Sequence, residues 1–244
     1  MKTKFISLFL VTTFLFITCS LNVFAHEMYV DSSGIPIVLT FNETNNTGAP
    51  ALRIYYGSLR NNAPGQYYDS AIYAMQAWDD VGRLGVKVSI ETQSQIFGGG
   101  GQNISIYCKE TIWEEYGVSA IALAFTVLKD TNNSEIFTQE EAYASNRIIS
   151  QAFIYLNPDI SIFSINVNDY YNPITDEEII NSRIDKTITH EIGHAIGLGH
   201  PDRTDYSPIN ASTTSIMRQG FPDVVASGLI PQSHDKKDVY DKYK

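Results

Sequence analysis

The sequence predicts an α+β domain, and three observations carry that prediction. Short apolar runs, several of them strictly alternating, mark strands, while two longer stretches carry apolar residues at helical spacing. The order is strand, helix, three or four strands, helix, then a loop-rich end with a short final helix. Hydrophobic residues make up 43% of 244 residues, which is enough to bury a real core and excludes a disordered or collagen-like chain. No internal repeat and no second independent pattern divides the chain.

The first 25 residues are read as a signal peptide. Lys2 and Lys4 form a basic start, residues 5–17 are a short apolar run, and Val23-Phe24-Ala25 suits a signal peptidase. The run is short for a bilayer span, and no later stretch reaches about 18 uninterrupted apolar residues. A lipid anchor at Cys19 is the weaker reading, because Phe16-Ile17-Thr18 lacks the usual small residue. The mature chain is therefore expected to be secreted and extracellular, beginning at His26. Losing Lys2 and Lys4 takes the net charge from −10 to −12. Such an acidic chain has no electrostatic footprint for nucleic acid and is repelled by anionic membrane surfaces. It also keeps only Cys108, so no intramolecular disulfide is expected. Ile104, Ile106 and Cys108 alternate onto one strand face, which makes Cys108 a buried structural thiol.

Residues 26–50 form an N-terminal segment, a candidate short pro-segment, ending in the turn-rich stretch 42–48. Residues 51–244 form the folded domain. Its first strand is 51–56, followed by a helix over 68–81 with Ala71, Met75, Trp78 and Val81 at helical spacing and Gly82 as its stop. Strands are expected at 86–90 and 104–108, and a long apolar stretch runs over 118–128. Gly98 to Gly101 lacks the Lys-Ser/Thr of a phosphate loop and reads as a connector. A polar loop over 130–146 leads to a strand at 147–156. The last strong helix follows Pro173, with Thr175 as N-cap and Glu178 completing a capping box. Ile180, Ile184, Thr187, Ile188, Glu191, Ile192 and Ala195 continue its periodicity, and Gly197 ends it.

That helix carries the chemistry. His190 and His194, four residues apart, project from one face at metal-chelating spacing. Glu191 lies close enough to reach a water held by the metal. Gly197 can take the left-handed conformation that turns the chain and returns His200 as a third nitrogen ligand. Three imidazoles leave one tetrahedral position for water, the arrangement of a catalytic zinc. Zinc lowers the pKa of such a water to about 7 and polarises a carbonyl oxygen. Glu191 can take the proton and pass it to a leaving amine. A bare HExxH recurs by chance; the extended HExxHxxGxxH fixes five residues on an independently argued helix.

HEIGHAIGLGH resembles the zinc signature of the metzincin metallopeptidases, and most of the mature chain resembles their matrixin branch. Ser215-Ile216-Met217 matches the methionine turn, which implies that Met217 forms an apolar floor beneath the zinc ligands. Ala77-Trp78 resembles the matrixin helix that packs on the sheet. Residues 121–125, with Ala122, Leu123 and Ala124 at their centre, resemble the edge strand that binds peptide substrate as an added strand. Residues 233–243 resemble the final matrixin helix. The resemblance implies a twisted, mostly parallel five-stranded sheet, an active-site helix and a small lower subdomain.

The departures from that pattern shape the expectations. Leu123, Ala152 and Phe153 stand where matrixins place histidines for a second, structural zinc, and His26 and His234 are too scattered to replace them. One Zn2+, the catalytic ion, is therefore expected. Pro201 is more like a serralysin, and Arg218-Gln219 offers no assisting tyrosine. No cysteine switch is expected, since no cysteine lies between His26 and Cys108. Asp31 is a candidate latency switch on the zinc, against the simpler reading of an N-terminal loop. Acidic clusters at 130–135, and at Asp169 with residues 176–178, raise calcium, but none follows an EF-hand spacing. Loop solvation and a helix N-terminus account for them.

The expected function is that of a secreted zinc endopeptidase acting on a protein or peptide substrate, general or restricted to one target. It is expected to be a monomer with no nucleic-acid or membrane partner. The alternative is a secreted zinc-containing binding protein without turnover, which would have no need of Glu191.

Overall fold

The structure, a computed structural model, describes residues 40–41, 51–55, 59, 63–79, 81, 85–88, 104–120, 122–137, 141, 145, 148–166, 172–199, 215–217, 229–233, 235–236 and 239. The leader with Cys19, His26, Asp31, the stretches 42–48 and 98–101, Ile121, Asp169, His200, Pro201, Arg218, Gln219 and His234 lie outside the described residues.

Parallel neighbours in a sheet require a crossover, and the first long strands obey that rule. Strand β2 (Ala51–Tyr55) pairs in parallel with β3 (Gly85–Val88), and helix α1 (Gly65–Asp79) bridges them. On its other edge β2 pairs in parallel with β4 (Ile104–Cys108), which in turn pairs in parallel with β7 (Ile148–Leu156). Strand β5 (Ala124–Asp130) lies antiparallel on the far edge of β7. Two two-residue pieces complete the sheet: β1 (Thr40–Phe41) beside the start of β7, and β6 (Glu135–Ile136) on β5. The order β3-β2-β4-β7-β5-β6 gives an α+β architecture with five longer strands, mixed but mostly parallel.

Alternation sorts the side chains onto two faces. Ile54, Ile104, Ile106, Ala152, Ile154, Leu156 and Leu128 meet α1 and helix α3 (Glu177–Ala195) in the main core. Both helices pack on this face and against each other. Trp78, fully buried, donates its indole N–H to the Thr189 carbonyl at 2.8 Å, tying α1 to the middle of α3. The opposite face is aromatic. Trp113 meets Phe125 edge-on at 4.8 Å, and Tyr107 stacks on Phe153 and Tyr155.

Several boundaries differ from the sequence expectation for local reasons. Helix α1 starts at Gly65, directly after Pro64, whose carbonyl accepts from Tyr67 N; Val81 lies past its end, in a turn held by Val81 N to the Trp78 carbonyl. The apolar stretch 118–128 is a strand only from Ala124, because Val118 N bonds back to Trp113 and Ala122 N to Ser119. The polar loop after it contains β6, whose hairpin turn is closed by the Asp130 carboxylate accepting from Asn132 N and Ser134 N. Helix α2 (Glu110–Glu115) was not expected: it buries Trp113 alone and has no side-chain N-cap bond, so it carries neither periodicity nor a start signal. A 3-10 turn (Ile160–Ser164) also follows β7. The N-cap of α3 is Asp176, not Thr175. The Asp176 carboxylate accepts from Glu178 N at 3.0 Å and Ile179 N at 3.4 Å, a geometry open to an acid one residue nearer the helix. Ser233, Asp235, Lys236 and Val239 are helical and fall within the expected final helix over 233–243, whose other residues lie outside the described residues. Among the described residues no helix is long and apolar enough to cross a membrane.

Candidate metal centre

The C-terminal half of α3 is sunk between the sheet, α1 and the 215–217 turn, so its polar residues need internal partners. His190 and His194 face each other edge-on, with ring centroids 4.6 Å apart. His190 Nδ1 lies 2.9 Å from the Ile216 carbonyl oxygen, and His194 Nδ1 lies 2.8 Å from that of Leu198. A carbonyl oxygen can only accept, so Nδ1 carries the hydrogen in both rings. In the neutral form of either ring this leaves the lone pair on Nε2, the arrangement in which histidine binds a metal.

The Leu198 carbonyl is brought back by the end of the helix itself. Gly197 takes a φ of 89°, while Leu198 N bonds to the Gly193 carbonyl and Gly197 N to that of His194. This pair of bonds closes the helix with a left-handed residue, where glycine has no Cβ to clash. Gly197 thus turns the chain as its position in the sequence implied.

The Ile216 carbonyl belongs to a segment far along the chain. Met217 is fully buried, and a Cβ built on Gly193 would lie 2.2 Å from its Sδ and 3.1 Å from Trp78 Cζ2. Gly193 is therefore the gap that admits Met217 against α3. Asp235, with no exposed surface, fastens the segment. Its Oδ1 accepts from Ser215 Oγ at 2.6 Å, and its Oδ2 accepts from Ile216 N at 3.2 Å and Gln232 N at 2.7 Å. Ser215 Oγ in turn accepts from Met217 N at 2.8 Å.

Glu191, next to His190 in sequence and three residues before His194, is buried. Its Oε2 accepts from the Thr126 hydroxyl at 2.6 Å. Burial pushes its carboxyl up to about 7, against the opposing pull of the Thr126 hydrogen bond. A carboxyl poised near neutrality can take a proton and give it back, which is what general acid–base work requires.

The strand expected to receive substrate starts later than its sequence match. Ala122 and Leu123 precede β5 and Ala124 opens it. Asn157, at the end of β7, holds the approach: its N–H donates to the Leu123 carbonyl at 3.0 Å, and its side-chain amide donates to the Ala120 and Ala122 carbonyls at 2.9 and 2.8 Å. Strand β6 covers β5 only at Leu128 and Lys129, so among the described residues no strand lies on the outer edge of 124–127.

Other singled-out residues have structural settings. Leu123 packs against the main core, Ala152 is fully buried in it, and Phe153 lies in the aromatic face. Of the acidic clusters, Asp130 closes the hairpin and Asp176 caps α3, so both carboxylates bond backbone N–H groups. Cys108 is half-buried rather than buried, packed on the core, and burial pushes its thiol up.

The structure thus sets His190 and His194 edge-on, bonds His190 to the Ile216 carbonyl beside Met217, and places the Glu191 carboxylate on Thr126. Among the described residues no group of three His, Cys, Asp or Glu side chains converges, and His200, the third expected ligand, lies outside them. The two imidazoles with Nδ1 committed to carbonyls suit zinc as a donor set. Sequence reasoning missed Thr126, Asp235 and the role of Gly193. Two signals were available: a hydroxyl between Ala124 and Leu128 on a core-facing strand, and a glycine inside a helix. No protein-family model matches the chain, and a search of curated proteins gives no significant match.

Proposed function

We propose that the chain is a secreted zinc-dependent endopeptidase of the matrixin-like metzincin kind. The observation that supports it most is the orientation of His190 and His194, each fixed through Nδ1 on a helix that also carries the buried Glu191. Parallel strands capped by an antiparallel β5, with α3 beneath, agree with the sheet that the resemblance implies. His190 and His194 would hold the ion through Nε2, with His200 as third ligand and one zinc per chain. Bound zinc supplies Lewis acidity toward water and the substrate carbonyl.

The chain's own groups do the rest. An extended peptide lies along the outer edge of Ala122, Leu123 and Ala124, which fixes the scissile bond over the histidines. Glu191 takes a proton from the attacking water as its oxygen bonds to the carbonyl carbon. As the C–N bond breaks, Glu191 returns that proton to the departing amine. Met217 packs beneath the histidine-bearing helix and keeps that floor dry.

Casein cleavage that is abolished by a zinc chelator and restored by added zinc is the expected result. Glu191→Ala should keep one zinc per chain by elemental analysis while activity falls at least about a hundredfold. Undiminished cleavage by that variant would reject Glu191 as the base. A wild type that binds zinc but cleaves neither casein nor a peptide library would instead be a binding protein without turnover.

A further inference from the structure

Thr126 sits at a position where an apolar residue would be ordinary. It lies on β5 between Ala124 and Leu128, on the strand face turned toward α3, and Leu128 there is fully buried. Thr126 itself is buried, so its hydroxyl must be satisfied internally. Two oxygens lie within reach, Glu191 Oε2 at 2.6 Å and the Glu191 main-chain carbonyl at 3.2 Å. The hydroxyl has one hydrogen to donate, and the shorter contact, in the range of charge-assisted bonds, goes to the carboxylate.

This contact does something the helix cannot. The backbone of α3 fixes where Glu191 starts, but its side chain has rotatable bonds between Cα and the carboxylate, and proton transfer depends on where the oxygens end. The group that meets that end comes from β5, the strand along whose edge the substrate would lie. We infer that Thr126 is a positioning residue, holding the Glu191 carboxylate in the same frame as the substrate-bearing strand. The inference rests on the peptidase reading above. It adds that the orientation of the base is set from the sheet and not from the helix that carries it.

The test compares wild type, Thr126→Val and Thr126→Ser on a quenched-fluorescent peptide, with Tm and zinc content measured for each. Valine keeps the branched shape and loses the hydroxyl, whereas serine keeps the hydroxyl and loses the methyl. Misplacing a reacting group costs rate more than binding, so Thr126→Val should lower kcat about tenfold and leave KM within about twofold. Thr126→Ser should recover kcat to within about twofold of wild type, since the hydroxyl is what counts. If the valine variant does not fold, Thr126→Ala replaces it against the same serine variant. Wild-type kcat in the hydroxyl-free variant overturns the inference. So does an equal loss in the valine and serine variants, or a loss that follows Tm or zinc content. A wild type that cleaves nothing overturns the peptidase reading, and this inference with it, which separates the two failures.

Discussion

His194 is held by the turn that ends its own helix, four residues away, whereas His190 is held by a turn 26 residues further along the chain. Both rings make the same bond, Nδ1–H to a backbone carbonyl, at nearly the same length. The difference lies in what must already be in place for each carbonyl to be there. For His194 the helix and Gly197 suffice. For His190 the 215–217 segment must dock under Gly193, and Asp235 must join Ser215, Ile216 and Gln232. One imidazole is therefore oriented by local structure and the other by tertiary closure. A metal binding both would link the end of α3 to the C-terminal part of the chain.

The most severe way to break this asymmetry is to remove its distant half. Asp235→Ala strips the acceptors from Ser215 Oγ, Ile216 N and Gln232 N by removing a carboxylate that has no exposed surface. Unmet buried donors to a charged group should cost about 4 kcal/mol in urea unfolding. Under the proposed zinc site, affinity should fall about tenfold or more, since the damaged contact orients His190. In histidine ring 15N spectra the His190 signals should move and those of His194 should not. Equal movement of both rings would show that the two anchors are not independent.

Filling the gap at Gly193 is the next largest perturbation, and it acts on the same half. The added methyl of Gly193→Ala would lie 2.2 Å from Met217 Sδ and 3.1 Å from Trp78 Cζ2. Overpacking against the buried Met217 should cost about 3 kcal/mol and the better helix propensity of alanine should return about 1, a net loss of about 2 kcal/mol in urea unfolding. Because Met217 is the obstacle, the penalty should shrink when Gly193→Ala is made in a Met217→Ala background. A double-mutant cycle without coupling would mean that the 215–217 turn does not depend on this fit.

The same division explains what the sequence revealed. The strands at 51–55, 85–88, 104–108 and 148–156 and the two long helices were legible because their apolar periodicity is local. The histidine pair and Gly197 were legible for the same reason, as fixed spacings on one helix. Asp235 was read only as part of a final helix, since nothing near it in sequence shows that its partners are Ser215 and Ile216. Nothing near Thr126 in sequence marks it, because the contact that matters lies across 65 residues of chain. Helix α2 escaped notice for a different reason: with Trp113 as its single buried residue, it owes its place to the aromatic face more than to its own pattern. Asp176 displaced Thr175 as the cap because two adjacent residues can both cap, and only geometry chooses between them.

The smallest expected effect belongs to the local half, and it completes the comparison. Gly197→Ala puts a Cβ on a residue with φ of 89°, in the left-handed region that side chains avoid. The strain should cost about 1 kcal/mol, less than either perturbation of the distant half, because the helix can fray or tighten its last turn to relieve it. That relief moves Leu198, whose carbonyl holds His194 Nδ1. The ring 15N signals of His194 should therefore shift while those of His190 stay, the reverse of the Asp235→Ala pattern. Gly197→Asn serves as the control, since asparagine tolerates the left-handed region better than alanine and should recover part of the stability in urea unfolding. If His190 responds to Gly197→Ala as strongly as His194 does, the last turn of α3 and the 215–217 segment move as one body, and the separation of local from distant anchoring fails.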